Sequence, residues 1–164
     1  MLKQTMGLTK AALLATGVAA GLSACSAQQA ETAPAPEAEA KRVHSESGLE
    51  LTDVTVTVGD TKHVFVSELA ITPQQQAMGL MFRRELGPNE GMIFPREPAT
   101  IASFWMKNTV IPLDIIFIAP DGRIINIARE TVPYSLESSV SEAPAAAVFE
   151  IPGGRAAELA MYAR

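Results

Sequence analysis

The sequence predicts a small β-rich domain of the α+β class, a compact antiparallel sandwich or barrel-like body with two short helices. Three observations predict it. Short apolar runs recur along the chain, broken by Gly and Pro turns in the manner of closely connected strands. The composition is 48% hydrophobic with a mean hydropathy of +0.16, and residues 48–164 are long enough to bury about two-thirds of their unfolded surface in one core. A single cysteine excludes a disulfide framework within the chain and a four-thiolate zinc site. No internal repeat is visible, and 164 residues accommodate one domain.

Residues 1–24 read as an export signal. Lys3 and Lys10 lie in a segment without acids, and Ala11–Ala24 carries no charge and ends in small residues. As a helix, that apolar stretch reaches about 21 Å, short of the roughly 30 Å hydrocarbon core of a bilayer. Leu22-Ser23-Ala24-Cys25 resembles the lipobox of bacterial lipoproteins. The resemblance implies cleavage before Cys25 and acylation of that residue, giving an anchor of more than one chain. Ser26, rather than Asp, follows the cysteine, which favours the outer membrane with the protein facing the periplasm; the inner membrane is the alternative. Residues 25–47 then form the acylated cysteine and a tether poor in large apolar side chains, roughly 70 Å long if extended. His44 is expected to be solvated there.

A single domain spans 48–164. Leu51–Val58 and His63–Leu69 flank Gly59-Asp60 and predict a β-hairpin. Thr72-Pro73 marks a helix start and Gly79 its end. Gly87–Gly91 is a loop, followed by a strand at Met92–Phe94. Ser103–Thr109 and Leu113–Ala119 read as strands, and Pro120-Asp121-Gly122 turns the chain into Arg123–Ala128. Ala147–Ile151 is a further strand, and Gly154–Arg164 has helical composition.

The motifs Gly79-Leu80-Met81-Phe82-Arg83, Gly91–Phe94, Phe104-Trp105-Met106-Lys107-Asn108-Thr109, Ile111–Ile118 and Phe149-Glu150-Ile151-Pro152-Gly153-Gly154 resemble the domain of unknown function 192 family, from about Val64 onward. That resemblance implies a small, often exported β-rich domain, and no biochemical role. Two departures stand out. Gln74–Gln76 occupies positions where acidic and arginine residues are common, and the resemblance implies a closing Gly-Asp turn and strand beyond Arg164. Lack of that strand predicts an unpaired sheet edge.

The site expected from these motifs binds a ligand through Trp105, Lys107, Asn108, Asp114 and Arg83. On a continuous strand, Trp105, Lys107 and Thr109 share one face, an aromatic platform beside a cation; Phe104, Met106 and Asn108 share the other. Asp114 opens an apolar run and needs partners: backbone N–H groups, Asn108 or Lys107. Arg83, Arg84 and Arg96 could receive an anion, with Tyr134 at the same cleft.

The expected partners are the membrane, through the acyl anchor on Cys25, and an envelope glycan, peptide or protein. One alternative is an envelope hydrolase or transferase using Lys107 with Asp114 or Glu150 as acid and base. Another is Cu(I) handling by Met78, Met81, Met92 and Met106, with core filling as their plainer role. No cofactor is expected. The net charge of −5, or −7 without Lys3 and Lys10, argues against nucleic acid. Two scattered histidines do not make a zinc or iron site, and no serine-nucleophile elbow or phosphate-cradling loop is present.

Overall fold

The structure, a computed structural model, describes residues 41–163. The segments read as an export signal and a lipobox at Cys25, and most of the expected tether, lie outside the described residues. Among those described, no helix is long and apolar enough to cross a membrane.

Strand β1 (Leu51–Val58) and β2 (Thr61–Leu69) form the expected antiparallel hairpin about Gly59, whose φ of 59° is the left-handed conformation that glycine adopts without strain. Helix α1 (Pro73–Met78) begins at Thr72, whose hydroxyl accepts from Gln75 N–H while the Gln75 side chain accepts from Thr72 N–H, a complete capping box. Gln76 donates to the carbonyls of Ala70 and Pro95. Gln75 and Gln76 thus act as fasteners of this turn.

Strand β3 (Glu90–Thr100) runs parallel to β2 and antiparallel to β8 (Ala145–Pro152). It extends well past the three residues read from the sequence. Pro95 and Pro98 are accommodated because the pairing shifts register between Pro95 and Thr100. Strands β5 (Leu113–Ile118) and β6 (Ile124–Thr131) form the second expected hairpin. The main sheet has the order β1-β2-β3-β8-β5-β6, with β1 and β6 at its edges. Helix α2 (Arg155–Glu158) is a single turn, shorter than its composition suggested.

Ser103–Thr109 departs most from the sequence reading. Only Ser103–Phe104 is a strand (β4), paired with the two residues Ser139–Val140 (β7). Met106 N–H bonds Ser135 O, and Asn108 sits at a φ of 57°, so the segment turns instead of alternating. The expected two-faced platform is therefore replaced by a strap in which Met106 and Thr109 are buried while Trp105 and Lys107 are exposed.

The sheet buries apolar residues on both faces. Met92, Phe94, Leu113, Ile115, Phe117 and Val148 pack on one side with Leu80 and Met106. Phe65, Ile116, Phe149 and Ile151 pack on the other under Ala156 and Met161. Strands β3 and β8 approach so closely at Gly91 that a Cβ there would lie 2.6 Å from the Glu150 carbonyl oxygen and 2.7 Å from the Phe149 ring. Gly91→Ala is accordingly expected to lose about 2–3 kcal/mol in urea unfolding, by overpacking.

The fold also begins earlier than Gly48. Val43 bridges Glu50, and His44 is largely covered, with Nε2 3.2 Å from Arg83 Nη1. The expectation of a solvated His44 is corrected: Arg83 and Glu68 draw it onto the domain.

Candidate functional site

Two of the clefts among the described residues bear on function. The larger, about 640 Å³, lies between β1 and the β5–β6 hairpin and is walled by Val54, Val56, Val58, Ile118, Ile124 and Tyr162. Ile116, Ile118 and Phe149 of the motifs also line it, but it holds neither the indole nor a buried carboxyl. The smaller, about 280 Å³, gathers residues from three of the motifs: Gly79–Met81, Phe104–Trp105 with Thr109, and Glu150.

Local structure explains this convergence. After α1, Gly79 turns at a φ of 50° and delivers Leu80 into the core. The next residues are fastened to the strap: Phe82 N–H donates to Asn108 O at 2.9 Å, and Asn108 Nδ2 lies 3.7 Å from Met81 Sδ. Phe82 and Asn108 are both left-handed non-glycine residues, at φ 66° and 57°. Such conformations persist only where surroundings over-determine them, and they cluster at functional sites. Trp105 stands at the cleft, 49% exposed, with Lys107 Nζ 5.3 Å over its ring. This is the expected pairing of indole and cation, made by a turn.

The cleft's chemistry comes from β8. Met92 on β3, Glu150 on β8 and Ile115 on β5 are in register, which puts the Glu150 side chain on the Met92 face of the sheet. Glu150 is 5% exposed and has no hydrogen-bond or ionic partner among the described residues. Burial raises its pKa to about 8, so the carboxyl is mostly protonated at neutral pH. Glu68, in register with Met92 from the β2 side, provides the contrast. It too is buried, but it receives Arg83 Nη2 at 2.8 Å and the Ser47 hydroxyl. One carboxylate of the row is neutralised, and the other is held in reserve at the cleft. Arg96 also lines the cleft; its Nη2 donates to Thr100 Oγ1 at 3.0 Å, while Nε is buried without a partner.

Other expected site residues lie elsewhere. Asp114 pairs with Ile151, so it occupies the opposite face of the sheet from Glu150. It is fully buried and accepts from three backbone N–H groups: Glu130 (2.7 Å), Gly154 (3.1 Å) and Ala156 (2.7 Å). Gly154 supplies no side-chain cap to α2, and Asp114 performs that service from another strand. It meets neither Lys107 nor Asn108. Arg83 is committed to Glu68, with Glu46 at 3.5 Å. Of the arginines considered together, only Arg96 reaches the cleft. Tyr134 is bound to the strap through its N–H and Thr109 O, without lining the cleft.

The methionines divide. Met92 and Met106 are buried in the core, where Met106 Sδ faces the Thr131 hydroxyl at 3.1 Å, whereas Met78 and Met81 line the cleft. Among the described residues, no group of three His, Cys, Asp or Glu side chains could hold a metal ion.

The sequence offers Glu150 only as a partner for Lys107, and the structure gives it a different setting. The available signal was an acid in the apolar run Ala145–Ile151, on a strand covered on both faces.

The profile of the domain of unknown function 192 family, described as an uncharacterized ACR, matches residues 54–163. The chain belongs to this family. The domain is similar to a crystal structure of a protein of unknown function from Novosphingobium aromaticivorans DSM 12444, with 54% identity and a TM-score of 0.74 over 80% of this chain and 94% of that one. It is also similar to a Sinorhizobium meliloti 1021 protein described as a candidate transcription regulator, at 38% identity and a TM-score of 0.64 over 66% of this chain and 84% of that one. No curated protein matches. Within this family domain, the cleft is built from the same strings that carry the resemblance.

Proposed function

We propose that this family domain is a binding module, held at the cell envelope by an acyl anchor on Cys25, that takes a small ligand into the Trp105–Glu150 cleft. The observation that carries this reading is a cleft lined by an exposed indole, the largely buried Glu150 carboxyl and Arg96, whose Nε is buried without a partner. Native proteins satisfy buried polar groups, and an exception calls for a physical reason such as a ligand. The cleft's volume lies near the lower end for ligand sites, which suits a sugar, a short peptide segment or a side chain better than a large cofactor. The acidic balance of the chain speaks against nucleic acid as the partner.

Catalysis through Lys107 and Asp114 finds no support. Lys107 is exposed over Trp105, and Asp114 caps α2 across the sheet. Copper handling by four methionines is likewise unsupported, because two of the thioethers are enclosed in the core.

The test is native mass spectrometry after incubation with soluble cell-wall fragments. The wild type is expected to carry a defined adduct that Trp105→Ala lacks. An adduct carried by both proteins, or by neither, contradicts the proposal. Because Trp105 is half exposed, its replacement should change unfolding free energy by less than about 1 kcal/mol. The anchor is checked separately: Cys25→Ser is expected to lose the mass of the acyl chains, and normal acylation of that variant would contradict the lipobox reading.

A further inference from the structure

We propose that the Trp105–Glu150 cleft receives an acetamido group, the N-acetyl substituent of an amino sugar, whose carbonyl oxygen accepts a hydrogen bond from the Glu150 carboxyl. This rests on the reading of the cleft as a binding site and names the chemistry of its ligand.

Glu150 has a mostly apolar surround. In-register Met92 on β3 and Ile115 on β5 are apolar, as are Leu80, Phe94 and Phe104 of the lining. From β2, Glu68 is balanced by Arg83. From β3, Arg96 is the only other charged residue in the lining. The α1 segment contributes no charge, with Gln76 and Met78; the strap contributes the Ser103 and Thr109 hydroxyls, and Lys107 lies over the indole. In such a setting the carboxyl is a neutral donor.

A carboxyl that donates selects an acceptor, as does the unpartnered Arg96 Nε, and the otherwise apolar lining selects one carrying a methyl or methylene. An amide carbonyl with a methyl group meets both demands. A cationic ligand would instead require Glu150 to ionise, with Arg96 lining the same cleft and Lys107 over the indole, both of the wrong sign for it. The exposed indole at the cleft favours a ring beyond the acetamide, because an amphipathic sugar face can pack against it. That favours an amino sugar over an acetylated peptide end.

Trp105 is the only tryptophan of the chain, so intrinsic fluorescence reads this cleft without a label. The full-length protein is titrated with N-acetylglucosamine, N-acetylalaninamide, glucosamine, tetramethylammonium and acetate at pH 6 and pH 9, with circular dichroism confirming the fold at both. N-acetylglucosamine is expected to bind more tightly than the other four, and about tenfold more weakly at pH 9 than at pH 6, as the donating form falls to about a tenth. Glu150→Gln retains an N–H donor and should bind with no such pH dependence, whereas Glu150→Leu should lose binding.

Preference for N-acetylalaninamide assigns the acetamide to a peptide and overturns the sugar. Preference for tetramethylammonium, glucosamine or acetate overturns the acetamide assignment while leaving the cleft a binding site. Equal pH dependence in wild type and Glu150→Gln removes Glu150 as the donor. No response to any probe overturns this inference and counts against the binding-site reading itself.

Discussion

Asp114→Ala is expected to be the most damaging single substitution in the domain, costing about 4 kcal/mol in urea unfolding. Three backbone N–H groups converge on this one carboxylate, from the end of β6 and from the entry to α2. Removing it leaves these donors without an acceptor, and hydrogen bonds to a charged group are worth about 1.5–3 kcal/mol each. Asp114→Asn keeps one acceptor oxygen but turns an amide N–H toward a donor, so a loss of about 2 kcal/mol is expected. Both effects are on stability. If Asp114→Asn melted like the wild type and lost ligand binding, the capping role would be wrong and the catalytic or ligand-binding alternative would return.

The second large effect concerns pH. Burial raises the folded pKa of Glu150 from 4.5 to about 8. Between those values the folded chain holds a proton that the unfolded chain has released, so stability falls as pH rises. Its contribution is fully present below pH 4.5, declines by roughly 1.4 kcal/mol per pH unit, and levels off above pH 8, a total of about 5 kcal/mol. Most buried acids behave in the opposite sense because a partner lowers their pKa; Glu150 has none. Glu150→Gln removes the titrating group, so the difference between wild-type and variant stability should slope across this window and be flat outside it. The check is urea unfolding of both proteins at pH 5, 6.5 and 8. A pH-independent difference would mean that water or a partner already satisfies the carboxyl.

Much of the fold was legible because local signals agreed with the global arrangement. Gly59-Asp60 and Pro120-Asp121-Gly122 each joined two apolar runs into a hairpin, and Thr72-Pro73 marked the start of α1. The strap was misread because its pairing is distant. The apolar content of Phe104–Thr109 resembles a strand, but Met106 bonds Ser135 and Asn108 adopts a left-handed turn, neither of which is encoded by period-two alternation. The site was legible in half. Trp105 and Lys107 were identifiable as a pair, since their contact is local. Asp114 was readable as a carboxylate in need of backbone N–H partners, but that Glu150 is the acid facing the cleft depends on strand parity and could not be read from sequence. Arg83 looked available because its partners, Glu68 and His44, lie 15 and 39 residues away.

On the proposed reading, the Trp105–Glu150 cleft, and not the wider groove beside β1, is where this domain meets its ligand. Amide and indole chemical-shift mapping with N-acetylglucosamine tests it most directly, because one titration surveys both clefts at once. The account predicts that the shifts concentrate on the Trp105 indole N–H, Gly79, Met81 and Thr109 and on the β8 amide of Glu150. Shifts concentrated on Val54–Val58, Ile124 and Tyr162 would contradict it and move the site to the opposite face of the sheet.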